Sequence, residues 1–158
     1  MKKIFCILLA GVIVLIYIFF IHKSPAEKLI HAGIKNIAEE NIPALMELVS
    51  PEFKGENGST FNDLPEILKL LFDTFDQIKV IVAEKNENEI DENKQIIVTL
   101  HYKVIANRGD QRVYLVGNPM NTEVIRFVLC KENKHWKICS ASGYKLNKEE
   151  LKELKNLF

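Results

Sequence analysis

The sequence predicts an α+β domain, with three amphipathic helices followed by a curved antiparallel sheet, preceded by a membrane-spanning helix. Three observations carry this reading. Residues 4–21 read IFCILLAGVIVLIYIFFI, in which every residue except Gly11 is apolar. Between Ala26 and Phe75 apolar residues recur with the spacing of one helix face. After Asp76 the period changes to two, in segments rich in Val, Ile, Thr and aromatic residues.

Eighteen helical residues at about 1.5 Å each cover roughly 27 Å, close to the hydrocarbon thickness of a bilayer. Lys2 and Lys3 precede the run, and only His22 and Lys23 directly follow it. The positive-inside bias then puts the N-terminus in the cytoplasm and the following domain outside it. The competing reading is a cleaved signal, with Ser24-Pro25-Ala26 supplying small residues for cleavage near Ala26 and a secreted product. A signal's apolar region is shorter, about 7–15 residues. Ser24-Pro25-Ala26-Glu27 also reads as a helix start, with Ser as cap, Pro in the first turn and Glu closing a capping box. The expected organisation is 1–23 as membrane anchor or uncleaved signal, 24–146 as the domain, and 147–158 as a short helix or tail.

Ala26, Leu29, Ile30, Ile34 and Ile37, with Gly33 among them, form the stripe of a first helix. Asn41-Ile42-Pro43 interrupts it, and Pro43 opens a second helix carrying Leu45, Met46, Leu48 and Val49. Ser50-Pro51 ends that one, because a residue before proline avoids the helical region. KGENGST, 54–60, has loop composition. Leu64, Ile67, Leu68, Leu71, Phe72 and Phe75 then share one face of a third helix starting at Asn62 or Asp63. The strands that follow are QIKVIVAEK, QIIVTLHYKVIA, RVYLV, TEVIRFVLCK and HWKICSA, separated by linkers short enough for an antiparallel meander. Val98, Leu100, Tyr102 and Val104 share one strand face, as do Ile125, Phe127 and Leu129, and Trp136 and Ile138. These faces are expected to meet the helices.

Lys and Arg total 21, as do Asp and Glu. Residues 1–23 hold Lys2, Lys3 and Lys23 and no acid, which leaves 18 basic against 21 acidic groups in the rest. A net-acidic body argues against sequence-independent nucleic-acid binding, which needs clustered cations. His22, His31, His101 and His135 show no HxxxH or HxH spacing, and no Cys or His cluster offers a zinc site. Phosphate-cradling glycine loops and a nucleophile elbow are also absent, so no metal and no cofactor are expected. If Cys130 faces His135 across the last hairpin, Cys139 lies about 13 Å from it along the strand, beyond disulfide reach. Two free thiols are therefore expected.

Leu48-Val49-Ser50-Pro51-Glu52-Phe53, Leu68 to Phe75 leading into Ile78-Lys79-Val80-Ile81-Val82, and His135-Trp136-Lys137-Ile138 carry a family likeness. Over roughly residues 26–142 the chain resembles the nuclear transport factor 2-like (cystatin-like) superfamily, in a bacterial exported or membrane-anchored branch without assigned chemistry. The resemblance implies a cone-shaped domain whose relatives include ketosteroid isomerase and polyketide cyclases, with a carboxylate and polar donors inside the cone. No Asp-plus-Tyr constellation of that kind matches here, and the inward strand positions are almost wholly apolar, which weighs against catalysis.

No catalytic residue is therefore assigned. Candidate cavity residues are Tyr102, Trp136 and Phe127 from the sheet and Asp73 from the end of the third helix. For each the plainer reading is structural: a core tyrosine, a packing tryptophan, a wall phenylalanine and a solvated helix-end acid. The leading functional reading is a membrane-anchored, non-catalytic binding or scaffold domain outside the cytoplasm. Such a domain could dimerise through its outer sheet face. One alternative is a carrier or enzyme using the cone for a small apolar ligand. Another is an assembly subunit resembling the VirB8 type of secretion and conjugation systems.

Overall fold

The computed structural model describes residues 23–90 and 95–144. The apolar run at 4–21 and the tail at 147–158 lie outside the described residues, so the expected membrane helix and terminal helix do too. Among the described residues, no helix is long and apolar enough to cross a membrane.

Helix α1, Pro25–Ala38, starts as its sequence dictates. The Ser24 hydroxyl accepts from the Glu27 amide at 3.0 Å and donates to Glu87 at 2.9 Å. Ala26 and Leu29 are buried on its inner side. Helix α2, Ile42–Glu47, is capped by the Asn41 side chain, which accepts from the Ala44 amide at 3.1 Å. It stops sooner than the apolar pattern suggests: Leu48 is its C-cap, and Val49 opens strand β1, Val49–Gly55. That strand was not foreseen, since Pro51 sits inside it and only Val49 and Phe53 are large and apolar. An edge strand tolerates proline where no ladder bond is required, and the ladder of β1 is irregular between Val49 and Lys54. Helix α3, Leu64–Thr74, matches the expected stripe.

The remaining strands are β2 Asp76–Ile90, β3 Gln95–Arg108, β4 Gln111–Val116, β5 Glu123–Glu132 and β6 His135–Ser142. The sheet runs β1-β6-β5-β3-β2, with β4 also paired to β3. It corrects the expectation in two ways. It is mixed rather than antiparallel, because β1 runs parallel to β6. It is also not a plain meander, because β5 pairs with β3 instead of β4. Strand length explains the second point. At about 3.4 Å per residue β3 extends roughly 48 Å against about 20 Å for β4. One edge of β3 therefore holds β5 along Ile96–Tyr102 and β4 along Val104–Arg108, while β2 fills the other edge.

The face assignment holds. Val98, Leu100, Tyr102 and Val104 are buried against the helices, with Ile125 and Leu129 beside them. The last hairpin departs from the expected register. Asn133 and Lys134 both take positive φ, the signature of a two-residue turn, so Glu132 faces His135 and Cys130 faces Lys137. The ladder then shifts between Val128 and Leu129, leaving Cys139 as the extra residue of β6. Cys130 and Cys139 consequently form a disulfide with 5.9 Å between their Cα atoms, within ordinary reach. The expected pair of free thiols is thus corrected, the error being two residues of register plus a bulge.

Candidate functional site

The inner sheet face and the three helices line a partly open cavity of about 350 Å³. Helix α1 contributes Ile30, Gly33 and Ile34 to its wall, and α3 contributes Leu64, Ile67 and Leu68. The sheet supplies Val82, Leu100, Tyr102 and Phe127, among others. At Gly33 the wall has room to spare, since a Cβ there would meet nothing closer than Leu48 at 4.0 Å. Among the described residues, no Asp, Glu, His, Lys, Arg or Cys lines the cavity.

Three hydroxyls do. Tyr144 donates to Asn57 Oδ1 at 2.7 Å, and its oxygen lies 2.7 Å from the Ser59 hydroxyl. A phenol has one proton, so Ser59 must be the donor to Tyr144. Both hydroxyl protons at this corner are thereby used. Gly55 makes the corner possible: a Cβ there would collide with the hydroxyls of Tyr144 and Ser59. Tyr102 sits deeper, as a buried residue of the β3 inner face. Its pKa is pushed up from 10.0 to about 12, first by burial and second by Glu123, which faces it across the ladder. The phenol therefore stays protonated at neutral pH.

Of the sequence candidates, Tyr102 and Phe127 line the cavity. Trp136 lies outside its wall, packed against the edge of the core with Lys131 Nζ 6.0 Å from its ring. Asp73 is exposed near the end of α3 and is not in the wall. The Ser59–Tyr144 corner was missed. Asn57-Gly58-Ser59 signals only a turn in sequence, and nothing local links it to a tyrosine 85 positions later. Cys130, Glu132 and Cys139 gather on another part of the sheet, but the disulfide occupies both sulfurs and leaves a single carboxylate.

No protein-family model matches the chain, and no curated protein matches it in sequence. Solved structures do match in shape. A proposed aromatic-ring hydroxylase from Novosphingobium aromaticivorans superposes with a TM-score of 0.62 at 12% identity, covering 74% of this chain and 83% of that one. A proposed scytalone dehydratase from the same organism gives 0.62 at 11% identity, covering 77% and 87%. An NTF2-like protein from Cytophaga hutchinsonii gives 0.55 at 12% identity, covering 73% and 90%. At these identities the likeness concerns shape, and it agrees with the helices and curved sheet described above. The chain has the fold of the nuclear transport factor 2-like superfamily.

Proposed function

We propose that this protein is a non-catalytic binding domain whose cone holds one small, neutral, largely apolar molecule. The observation that carries this is the wall: apolar side chains around about 350 Å³, with Tyr102 as the hydroxyl on the inner face of β3. A cavity of about 150 Å³ accepts benzene, so this one suits a molecule roughly twice that size. Tyr102 would donate to a carbonyl, ether or hydroxyl oxygen of the guest. A carboxylate guest would lack a compensating cation and would be costly to bury. Acid–base catalysis needs a titratable group within reach of the reacting atom, and among the described residues the wall supplies only the phenols of Tyr102 and Tyr144.

The same proposal places the domain outside the cytoplasm, tethered by residues 4–21. The length of the apolar run and its flanking lysines support the tether. The Cys130–Cys139 disulfide supports the compartment, since such bonds persist where the surroundings are oxidising.

Fluorescence titration with an apolar dye tests the binding reading. Wild type should bind a neutral dye and release it to neutral ketones more readily than to fatty-acid anions. Equal preference for the anions would count against it. Protease protection in spheroplasts tests the topology, with digestion of the domain from outside as the expected result.

A further inference from the structure

Among the described residues, the exposed large hydrophobic side chains gather in one place. They are Tyr114, Met120 and Val124, with 39%, 91% and 42% of their surface exposed. Tyr114 faces Ile105 across the β3–β4 ladder, and Val124 faces His101 across the β3–β5 ladder. Their strand neighbours Val113, Leu115 and Ile125 pack on the core, so alternation turns Tyr114 and Val124 to the outer face of the sheet. Met120 belongs to the β4–β5 loop, which lies between them. The Lys103 ammonium donates to the Pro119 carbonyl at 3.5 Å, and a Cβ on Gly117 would stand 3.2 Å from that of Lys103. Ile105, Lys103 and His101 are alternate residues of β3, so the three apolar groups follow a line of about 14 Å. Exposed apolar groups gathered in this way mark an interaction site.

Charge sets this line apart. Lys103 shares its face with the exposed Arg112, opposite Asn107, and the exposed Arg126, opposite Thr99. Glu123 instead faces Tyr102 on the inner side, and Asp110 sits in the β3–β4 turn. Asp76 and Glu84 stand across β3, on strand β2, with Lys79 between them. The line is therefore flanked by cations on a body that holds more acids than bases. Tyr, Met and Arg are also residue types that protein interfaces favour.

We infer that this face docks an acidic protein segment with apolar anchors, seated along Tyr114, Met120 and Val124 with its carboxylates toward Lys103, Arg112 and Arg126. A second copy would bring two cationic faces together, which is unfavourable. A bilayer suits the surface less well, because only Met120 stands clear of it while Tyr114 and Val124 are half covered on the sheet. This face lies on the opposite side of the sheet from the cavity, so docking here is independent of any guest.

Fluorescence anisotropy with the full-length protein in mild detergent tests it, using three labelled peptides. One alternates Glu with Leu and Phe, the second has Lys for every Glu, and the third keeps Glu but has Ser for every Leu and Phe. The first should bind about ten-fold more tightly than either of the others, and more weakly as salt is raised. Arg126→Glu and Met120→Ser should each weaken it several-fold. Lys28→Glu, at an exposed position of α1, makes the same change in net charge and should leave binding unaltered. An unchanged urea unfolding transition, read through Trp136, establishes that the variants remain folded. No binding of the first peptide, equal binding of the Lys peptide, or equal losses in Arg126→Glu and Lys28→Glu would each overturn the inference. A dimer in native mass spectrometry that Met120→Ser dissociates would overturn it in favour of a second copy. Quenching of a fluorophore at position 120 by brominated anionic lipid in nanodiscs would overturn it in favour of the bilayer.

Discussion

The hydroxyl of Ser50 donates to a carboxylate oxygen of Glu132 at 2.5 Å, joining the edge strand β1 to the β5–β6 hairpin across 82 residues of sequence. Ser50 is 0% exposed and also accepts from the Glu52 amide at 3.0 Å. Because β1 contains a proline and has an irregular ladder, this side-chain bond does much of what a regular set of backbone bonds does elsewhere. Ser50→Ala should therefore destabilise the domain by about 1–3 kcal/mol, as expected for a buried hydrogen bond to a charged group. Urea unfolding followed by tryptophan fluorescence measures it, Trp136 being the only tryptophan. Glu132→Gln keeps an acceptor and should cost less.

Tyr102 gives the domain a pH dependence whose sign follows from its shift. Folding raises its pKa from 10.0 to about 12, so the folded state holds this proton more tightly than the unfolded chain. The associated stability is fully present below pH 10 and is lost as pH rises toward 12. Tyrosine absorbance should show a late step near pH 12 that disappears in Tyr102→Phe. Glu123→Gln should lower that step only slightly, since burial is the larger cause. An unchanged titration in Tyr102→Phe would contradict the assignment.

Reduction should weaken the last hairpin. Cys130 and Cys139 are nine residues apart, and closing a loop of that size corresponds to about 2–3 kcal/mol in the chain-entropy model. The full amount is an upper bound, because the neighbouring turn already holds the two strands together. Denaturant midpoints with and without a reductant should differ in wild type and coincide in Cys130→Ala/Cys139→Ala.

Gly55→Ala should disturb the cavity corner more than a surface glycine would. The added methyl would meet the hydroxyls of Tyr144 and Ser59, both of which are already committed to hydrogen bonds. A loss of about 1–3 kcal/mol is expected from such crowding. Gly58→Ala is the informative control. Nothing lies within 4 Å of a Cβ there, so only the positive φ of 82° resists the methyl.

The helices and strand faces were legible because burial imposes a period on the sequence. Leu64, Ile67, Leu68 and Leu71 mark α3, and Val98, Leu100, Tyr102 and Val104 mark the inner face of β3, without reference to any partner. What stayed illegible depends on relations between distant residues. Strand β1 exists because β6 offers it an edge and Glu132 accepts from Ser50, neither of which leaves a local pattern. The position of β5 followed from the length of β3, and the disulfide from a bulge that no pairing rule foresees. Within the site, Tyr102 and Phe127 were found through strand alternation. The Ser59–Tyr144 corner is a contact between a turn and a strand end, and only the folded chain brings it together.

The most direct measurement is native mass spectrometry of the full-length protein released from mild detergent, comparing wild type with Val82→Phe. Val82 lines the cavity without being fully buried, so the larger ring can enter the free space without overpacking the core. Wild-type monomer should carry a reproducible extra mass of a few hundred daltons, consistent with the cavity volume, and Val82→Phe should be folded and bare. A wild-type protein that remains unliganded and binds added apolar dye no better than Val82→Phe would contradict a binding role for the cone.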